Sequence, residues 1–179
     1  RAHTGPLTVL RCPSPRGTVL WEPFDEHGRE RYSLTRSLLK GEHGNEIVFE
    51  ETNRDLGTAF RSRWTGCDRF GWVRTSSLRN LGGTRRRIIA LDGVQNILPP
   101  DLPRQVQDQM SCLGDANKQS EYDPGGGLAI FTMTARMSDR PEANEAMRAA
   151  TAWIAGLPRP AVLLSATQVR SFRSGARPL

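Results

Sequence analysis

Short runs that alternate apolar and polar residues, separated by glycine and proline, recur between Thr18 and Leu91. Successive side chains of a β-strand point to opposite faces, so this period of two is typical of strands with one buried face. The chain has 17 Gly and 12 Pro among its 179 residues, which favours short strands joined by turns over long helices. The sequence therefore predicts a mainly β fold.

The strands of this part are predicted at 18–21, 45–51, 58–65, 69–80 and 84–91. Phe60 and Trp64 fall on one face of their strand, and Leu56-Gly57 is a turn signal. The strands between residues 58 and 91 are expected to pair as an antiparallel meander. Because neither face of these strands is wholly polar, a second layer should cover them. The predicted fold is an antiparallel β-sandwich with one or two short helices.

The second half of the chain mixes helix and strand signals. Asp101 is a candidate cap for a short helix, and Ser165 with Gln168 forms a capping box before a helix that Gly175 closes. Residues 128–134 form an apolar run that predicts a strand. Residues 144–157 fit either a helix or a strand by their spacing.

The domain boundaries predicted from composition are an irregular N-terminal edge at 1–17 and a β-sandwich domain with a C-terminal helix at 18–179. The first segment is rich in Pro and Gly, and neither terminus carries an evident terminal element, so we expect a fragment of a larger chain. Residues 1–15 contain no apolar run like that of a signal peptide, and no stretch approaches the ~20 apolar residues of a membrane span. A membrane partner is not expected.

The formal net charge of +6 at pH 7 raises nucleic acid as a partner. Acidic residues are interspersed along the chain, however, and only Arg85–Arg87 forms a basic run, whose members would alternate between faces in a strand. A solvated basic surface is favoured, and nucleic-acid binding remains the less favoured alternative.

Metal and cofactor sites are not expected. The cysteines and histidines are widely spaced: Cys12, Cys67, Cys112, His3, His27 and His43. They offer neither a CxxC pair nor a His-x₃-His pair, and the glycines at 125–127 lack the Lys-Ser/Thr of a phosphate-binding loop. Three unpaired cysteines are compatible with a reducing compartment, so the location stays open with the cytoplasm favoured.

Three carboxylates lie close together in the sequence, at Glu50, Glu51 and Asp55. Glycoside hydrolysis needs two such groups around one sugar. Adjacent residues of a strand point to opposite faces, so Glu50 and Glu51 cannot share a substrate. We expect these acids to be solvent-facing or paired with Arg54 and Arg61.

One loop is the candidate saccharide contact. Sugars stack on exposed aromatic rings, and two aromatic residues flank a polar loop at 22–31. The candidate substrate-binding residues are Trp21, Asp25, Glu26, His27, Arg29 and Tyr32. By contrast, Trp64 and Trp72 alternate with polar residues and are expected to pack in the core.

Several motifs resemble one family. They are Ile47–Gly57, Phe60–Trp64, Asp68–Arg74, Leu78–Gly82, Leu91–Pro99, Ser138–Arg140 and Ala152-Trp153. Together they look like the supersandwich domain (galactose-mutarotase-like) that precedes the (α/α)₆ barrel of cellobiose-phosphorylase-type enzymes.

The resemblance implies a non-catalytic β-sandwich domain of a large glycoside hydrolase or phosphorylase-like protein. It implies that the catalytic groups belong to the helical barrel of the parent chain, on which this domain packs to shape access for an oligosaccharide. It also implies a strand at 149–154. The alternative is a free-standing carbohydrate-binding module.

Overall fold

The computed structural model describes residues 4–15, 17–136, 146–158 and 160–176. The chain forms two compact units, one of Leu7–Asp92 and one of Arg1–Pro6 together with Gly93–Leu179. Over the described residues as a whole, strands predominate over helices, which confirms the mainly β prediction.

The first unit contains two sheets. Its elements are β1 (Gly5–Ser14), β2 (Gly17–Trp21), α1 (Gly28–Arg31), β3 (Leu34–Lys40), β4 (Glu46–Asn53), β5 (Thr58–Cys67), β6 (Gly71–Asn80) and β7 (Ile89–Gln95). One sheet has the order β2-β1-β7, and the other is the meander β3-β4-β5-β6, whose neighbours all pair antiparallel.

A hydrophobic core lies between these two sheets. It joins Leu10, Cys12 and Trp21 of the smaller sheet to Phe60 of the meander and to Leu56 of the β4–β5 turn. The sandwich and the covering second layer are therefore present as predicted. We call the face of the meander that carries Phe60 its inner face, and the opposite one its outer face.

Three local expectations were wrong. The segment 1–17 was expected to be irregular, yet β1 occupies Gly5–Ser14 and supplies core residues. The strand β3 was not anticipated at all. The run 84–91 was expected to continue the meander, but β7 begins only at Ile89 and joins β1 in the smaller sheet.

The second unit has a three-stranded sheet and three short helices. Its elements are α2 (Arg104–Gln109), α3 (Ser111–Asn117), β8 (Lys118–Asp123), β9 (Leu128–Met133), β10 (Ala150–Trp153) and α4 (Ala166–Arg173), with sheet order β10-β9-β8. The spacing at 144–157 fitted either a helix or a strand, and the structure forms the strand β10 there. With α1, the described residues form four short helices where one or two were expected.

The capping box that was predicted for α4 is present. The Ser165 hydroxyl accepts a hydrogen bond from the Gln168 amide at 3.2 Å, and Gly175 follows the helix with a φ of 87°. The cap predicted at Asp101 was wrong, because Pro103 occupies the N-cap of α2 and the Asp101 carboxylate instead faces Arg136 at 3.6 Å. In the described part of the chain, no helix is both long enough and apolar enough to cross a membrane.

The three cysteines are free thiols in three different environments. Cys12 is buried in the core, Cys67 is half-buried and Cys112 is exposed. Burial raises the pKa of the Cys12 thiol to about 11, and the charge of Arg86 opposes this shift. Since the thiolate is the reactive form, Cys12 is protected both by its burial and by its protonation.

Alkylation of the native protein at pH 8 is expected to modify Cys112 first and Cys12 last. Mass spectrometry of digested samples taken over time measures the three rates, and labelling in strong denaturant provides the control in which the rates should converge. Modification of Cys12 as fast as Cys112 in the native protein would contradict the buried position of β1.

Candidate functional site

The loop that was predicted to contact saccharide is held against the sheet by Glu51. The carboxylate of Glu51 is fully buried and accepts hydrogen bonds from the Trp21 indole at 2.8 Å and from the Phe24 amide at 3.0 Å. It also forms an ion pair with Arg36, which donates to the Asp25 carbonyl at 2.6 Å. One buried acid thus fixes both the strand β2 and the loop after it.

Phe24 shows how closely this loop is held. Its φ of 69° lies in the left-handed region, which is uncommon for a bulky residue other than glycine. Its ring packs at 6.0 Å between centroids against both Phe49 and Phe60. Packing and the hydrogen bond to Glu51 together maintain this backbone conformation.

The six predicted saccharide-binding residues differ in how far they are exposed to solvent. Trp21 is only 1% exposed, so its ring has no free face for a sugar, and the prediction was wrong for this residue. Tyr32 is half-buried and its hydroxyl donates to the Leu20 carbonyl at 2.7 Å, while burial raises its pKa. Trp21 thus belongs to the core, and Tyr32 packs against it.

The four polar members of the predicted set remain on the loop. Glu26, His27 and Arg29 are exposed and Asp25 is half-buried. His27 lies 3.2 Å from Glu30, one turn along the chain. Without an accessible ring beside them, these groups do not form the combined stacking and hydrogen-bonding site that was expected.

Glu50 and Glu51 do point to opposite faces of the meander, as predicted. Glu50 lies on the outer face, 3.4 Å from Arg61, whereas Glu51 is buried at the inner face. The carboxylate of Asp55 accepts a hydrogen bond from the Ser33 amide at 2.7 Å. These acids therefore hold the structure together at separate places.

The outer face of the meander carries a second group of polar residues that the sequence reading did not single out. Arg61, Arg63, Thr75 and Ser77 line a shallow depression of about 230 Å³. The pairing register places Arg61 opposite Ser77 and Arg63 opposite Thr75. Strand alternation could have grouped the two arginines, but their hydroxyl partners depend on the register of β6.

Val48 lies beneath charged side chains on this outer face. It pairs with Arg63, and it is only 2% exposed although its neighbours Glu46 and Glu50 are charged. Long arginine and glutamate side chains can cover an apolar residue with their methylene groups while the charges stay in water. The outer face is thus an ordered polar surface rather than a loose array of charges.

An exposed aromatic pair lies at the β5–β6 hairpin. Trp72 is 71% exposed and Phe70 is 48% exposed, so the prediction that Trp72 packs in the core was wrong. Trp72 pairs with Gly66, which offers no side chain to cover the indole. Trp64 is half-buried, and its ring centroid lies 6.0 Å from the Arg74 guanidinium.

Arg74 connects the two sheets of the first unit. Its guanidinium lies 2.8 Å from the Asp92 carboxylate, 2.9 Å from the Thr8 hydroxyl and 3.0 Å from the Ser62 hydroxyl. Asp92 is thus the ion-pair partner of a largely buried arginine.

The described residues contain no group of three or more His, Cys, Asp or Glu side chains that could hold a metal ion. The family motif at Ser138–Arg140 and the histidine at position 3 lie outside the described residues. No protein-family model matches the chain, and no curated protein is significantly similar to it. The resemblance to the supersandwich domain thus stays a prediction.

Proposed function

We propose that this chain is a non-catalytic β-sandwich domain of a larger carbohydrate-active protein, which packs on a helical barrel domain of the same polypeptide and contacts an oligosaccharide. The observation that carries the proposal is the exposed indole of Trp72 beside Phe70. Sugar rings present apolar C–H faces that stack on such rings, while their hydroxyl groups need polar neighbours.

The position of Trp72 suits it to binding. The residue lies within β6, which pairs with β5 along its whole length from Gly71 to Asn80. A side chain on a paired strand loses little backbone freedom when a ligand binds, so less of the binding energy is lost to ordering.

Exposed apolar side chains support the part of the proposal that concerns the barrel. The first unit exposes several large apolar residues besides its aromatic pair: Leu38, Leu39, Val73, Leu78, Leu81 and Ile89. Those on the strands of the meander lie on both of its faces, and exposed apolar side chains of this kind are available for a neighbouring domain to cover. The proposal assigns the chemistry to the parent protein.

Replacement of Trp72 by alanine is expected to weaken oligosaccharide binding by about tenfold, which corresponds to roughly 1.4 kcal/mol of stacking energy. A panel of neutral glucans and xylans titrated against the protein, with intrinsic fluorescence as the signal, measures the effect. Trp153→Ala is the matched control, because Trp153 is also about half exposed but lies in the second unit. Saccharide binding that Trp72→Ala leaves intact would overturn the proposed stacking role.

A free-standing carbohydrate-binding module is the second candidate, and the same exposed indole favours it. The reading frame around the chain discriminates between the two. A helical region of barrel length with a carboxylate in its pocket supports the domain of a larger enzyme, whereas a stop codon directly after Leu179 supports the module. Nucleic-acid binding is less favoured because Glu50 and Glu46 lie on the same face as Arg61 and Arg63, so this face is not the continuous basic surface that a polyanion backbone needs.

A further inference from the structure

We propose that the outer face of the meander binds a tetrahedral oxyanion, the phosphate or sulfate group of a ligand, in the depression lined by Arg61, Arg63, Thr75 and Ser77. The volume of about 230 Å³ is several times the ~30 Å³ that one water molecule occupies in the liquid. A group of this size can therefore enter the depression without displacing the strands.

The pairing register of β5 and β6 creates the donor set. Arg61 lies opposite Ser77 and Arg63 opposite Thr75, and residues two apart on a strand share a face. Side chains that are directly opposite in an antiparallel pair have Cβ atoms about 5 Å apart. The two arginines and the two hydroxyl residues line the same depression, and all four carry groups that can donate hydrogen bonds.

The chemistry of these donors selects an oxyanion. A guanidinium group presents a planar fork of N–H donors that matches the oxygens of phosphate or sulfate, and such charge-assisted bonds are stronger than neutral ones. The hydroxyls of Thr75 and Ser77 supply donors to the remaining oxygens. A neutral sugar brings no negative charge to the two arginines, so its hydrogen bonds to them would be weaker than those of an oxyanion.

The two glutamates on this face orient the arginines without blocking them. Arg61 contacts Glu50 at 3.4 Å, and Arg63 pairs with Glu46. Both arginines are about half exposed, so each pair is weak and each guanidinium retains further N–H groups for a ligand. Arg79, which pairs with Ala59 in the same register, adds a third positive charge to the face.

This site is independent of the saccharide surface proposed above. Trp72 and Arg74 point to the inner side of β6, whereas Thr75 and Ser77 belong to the outer face, because neighbouring residues of a strand alternate. Failure of one proposal therefore leaves the other intact.

Titration of the protein with inorganic phosphate, followed by ¹H–¹⁵N NMR of the backbone and of the arginine Nε–H groups, tests the site. We expect saturable shifts at residues 61, 63, 75 and 77, with an affinity that falls as NaCl is added. Parallel titrations with sulfate, glucose 6-phosphate and glucose distinguish a free anion from a phosphorylated sugar. Shifts with glucose but none with phosphate would overturn the proposal.

Matched variants distinguish phosphate binding in the depression from a nonspecific attraction of phosphate to positive charge. Arg61→Gln and Arg63→Gln are each expected to weaken phosphate binding about tenfold, as the loss of one charge-assisted contact implies. Arg79→Gln removes the same charge outside the depression and should change the affinity less than about twofold. Glu50→Gln removes a competing carboxylate and should tighten binding, while Trp72→Ala should leave it unchanged.

Two outcomes count against the site. A phosphate titration without saturation would overturn it, and so would an Arg79→Gln variant that loses as much affinity as Arg61→Gln. Circular-dichroism melting of each variant confirms that the folded state is retained, which is expected because all the altered side chains are at least partly exposed.

Discussion

Replacement of Glu51 by alanine is expected to lower the free energy of unfolding by roughly 3–5 kcal/mol, as removal of one partner from a buried ion pair does elsewhere. Its carboxylate is fully buried and satisfies the Trp21 indole, the Phe24 amide and the Arg36 guanidinium at once. Without it, the Trp21 indole and the Phe24 amide would lose their acceptor, and Arg36 would lose its ion-pair partner while keeping the Asp25 carbonyl. Equilibrium unfolding in urea, followed by tryptophan fluorescence, measures the loss.

Glu50→Ala is the matched control for this experiment. The residue is adjacent in the sequence and also pairs with an arginine, but both members of this pair are substantially exposed to solvent. A pair of this kind contributes about 0–1 kcal/mol, so the change should be small. Equal losses for the two variants would show that the buried network does not support the fold.

Replacement of Phe60 by alanine is expected to destabilise the first unit by about 3–5 kcal/mol, which is typical of a large side chain removed from a core. Phe60 belongs to the cluster that joins the two sheets, together with Leu10 and Trp21. Its ring also packs against that of Phe24 at 6.0 Å, so a cavity would form beside the loop as well as between the sheets. Urea unfolding again gives the free energy.

Phe70→Ala provides the comparison at an exposed site. Phe70 is about half exposed at the β5–β6 turn and contacts the Arg69 guanidinium at 5.1 Å. Loss of an exposed cation–π contact of this type costs about 0.5–1 kcal/mol. If Phe60→Ala cost no more than Phe70→Ala, the sandwich core would have to be placed elsewhere.

The local pattern was sufficient to predict the centre of the meander. The strands β4 and β5 lie within two residues of the predicted runs, because alternation and turn signals agree there. The turn at Leu56-Gly57 is present, and Gly57 has the positive φ of 54° that a glycine tolerates best. The capping box at Ser165 was equally local, and it was also confirmed.

Elements that depend on distant partners could not be read in this way. Pro and Gly suggested an irregular segment before residue 17, but Pro6 and Pro13 stand near the two ends of β1, where a strand tolerates proline. The partner of β7 was missed because its pairing with β1 joins two segments far apart in the sequence. No local pattern indicates which of two sheets such a strand enters.

The candidate site was harder to predict than the fold. Glu51 lies two residues after Phe49, so alternation along the strand places it on the same apolar face as Ile47 and Phe49. Its charge alone suggested a position in solvent. The exposure of Trp72 could not be foreseen, because it depends on the Gly66 that the register places opposite it. The buried indole of Trp21 donates its hydrogen bond to Glu51, which lies thirty positions away in the sequence.

The pairing of β1 with β7 also determines when the sandwich can be completed during synthesis on the ribosome. The hairpin of β1 with β2 and the whole meander join strands that are consecutive in the chain, so they can form as they emerge. The contact from Thr8 to Asp92 spans 84 positions, so it cannot form until β7 has left the exit tunnel. Until then one edge of β1 keeps unpaired backbone groups beside Val9 and Leu10, and an open edge of this kind can pair with another chain.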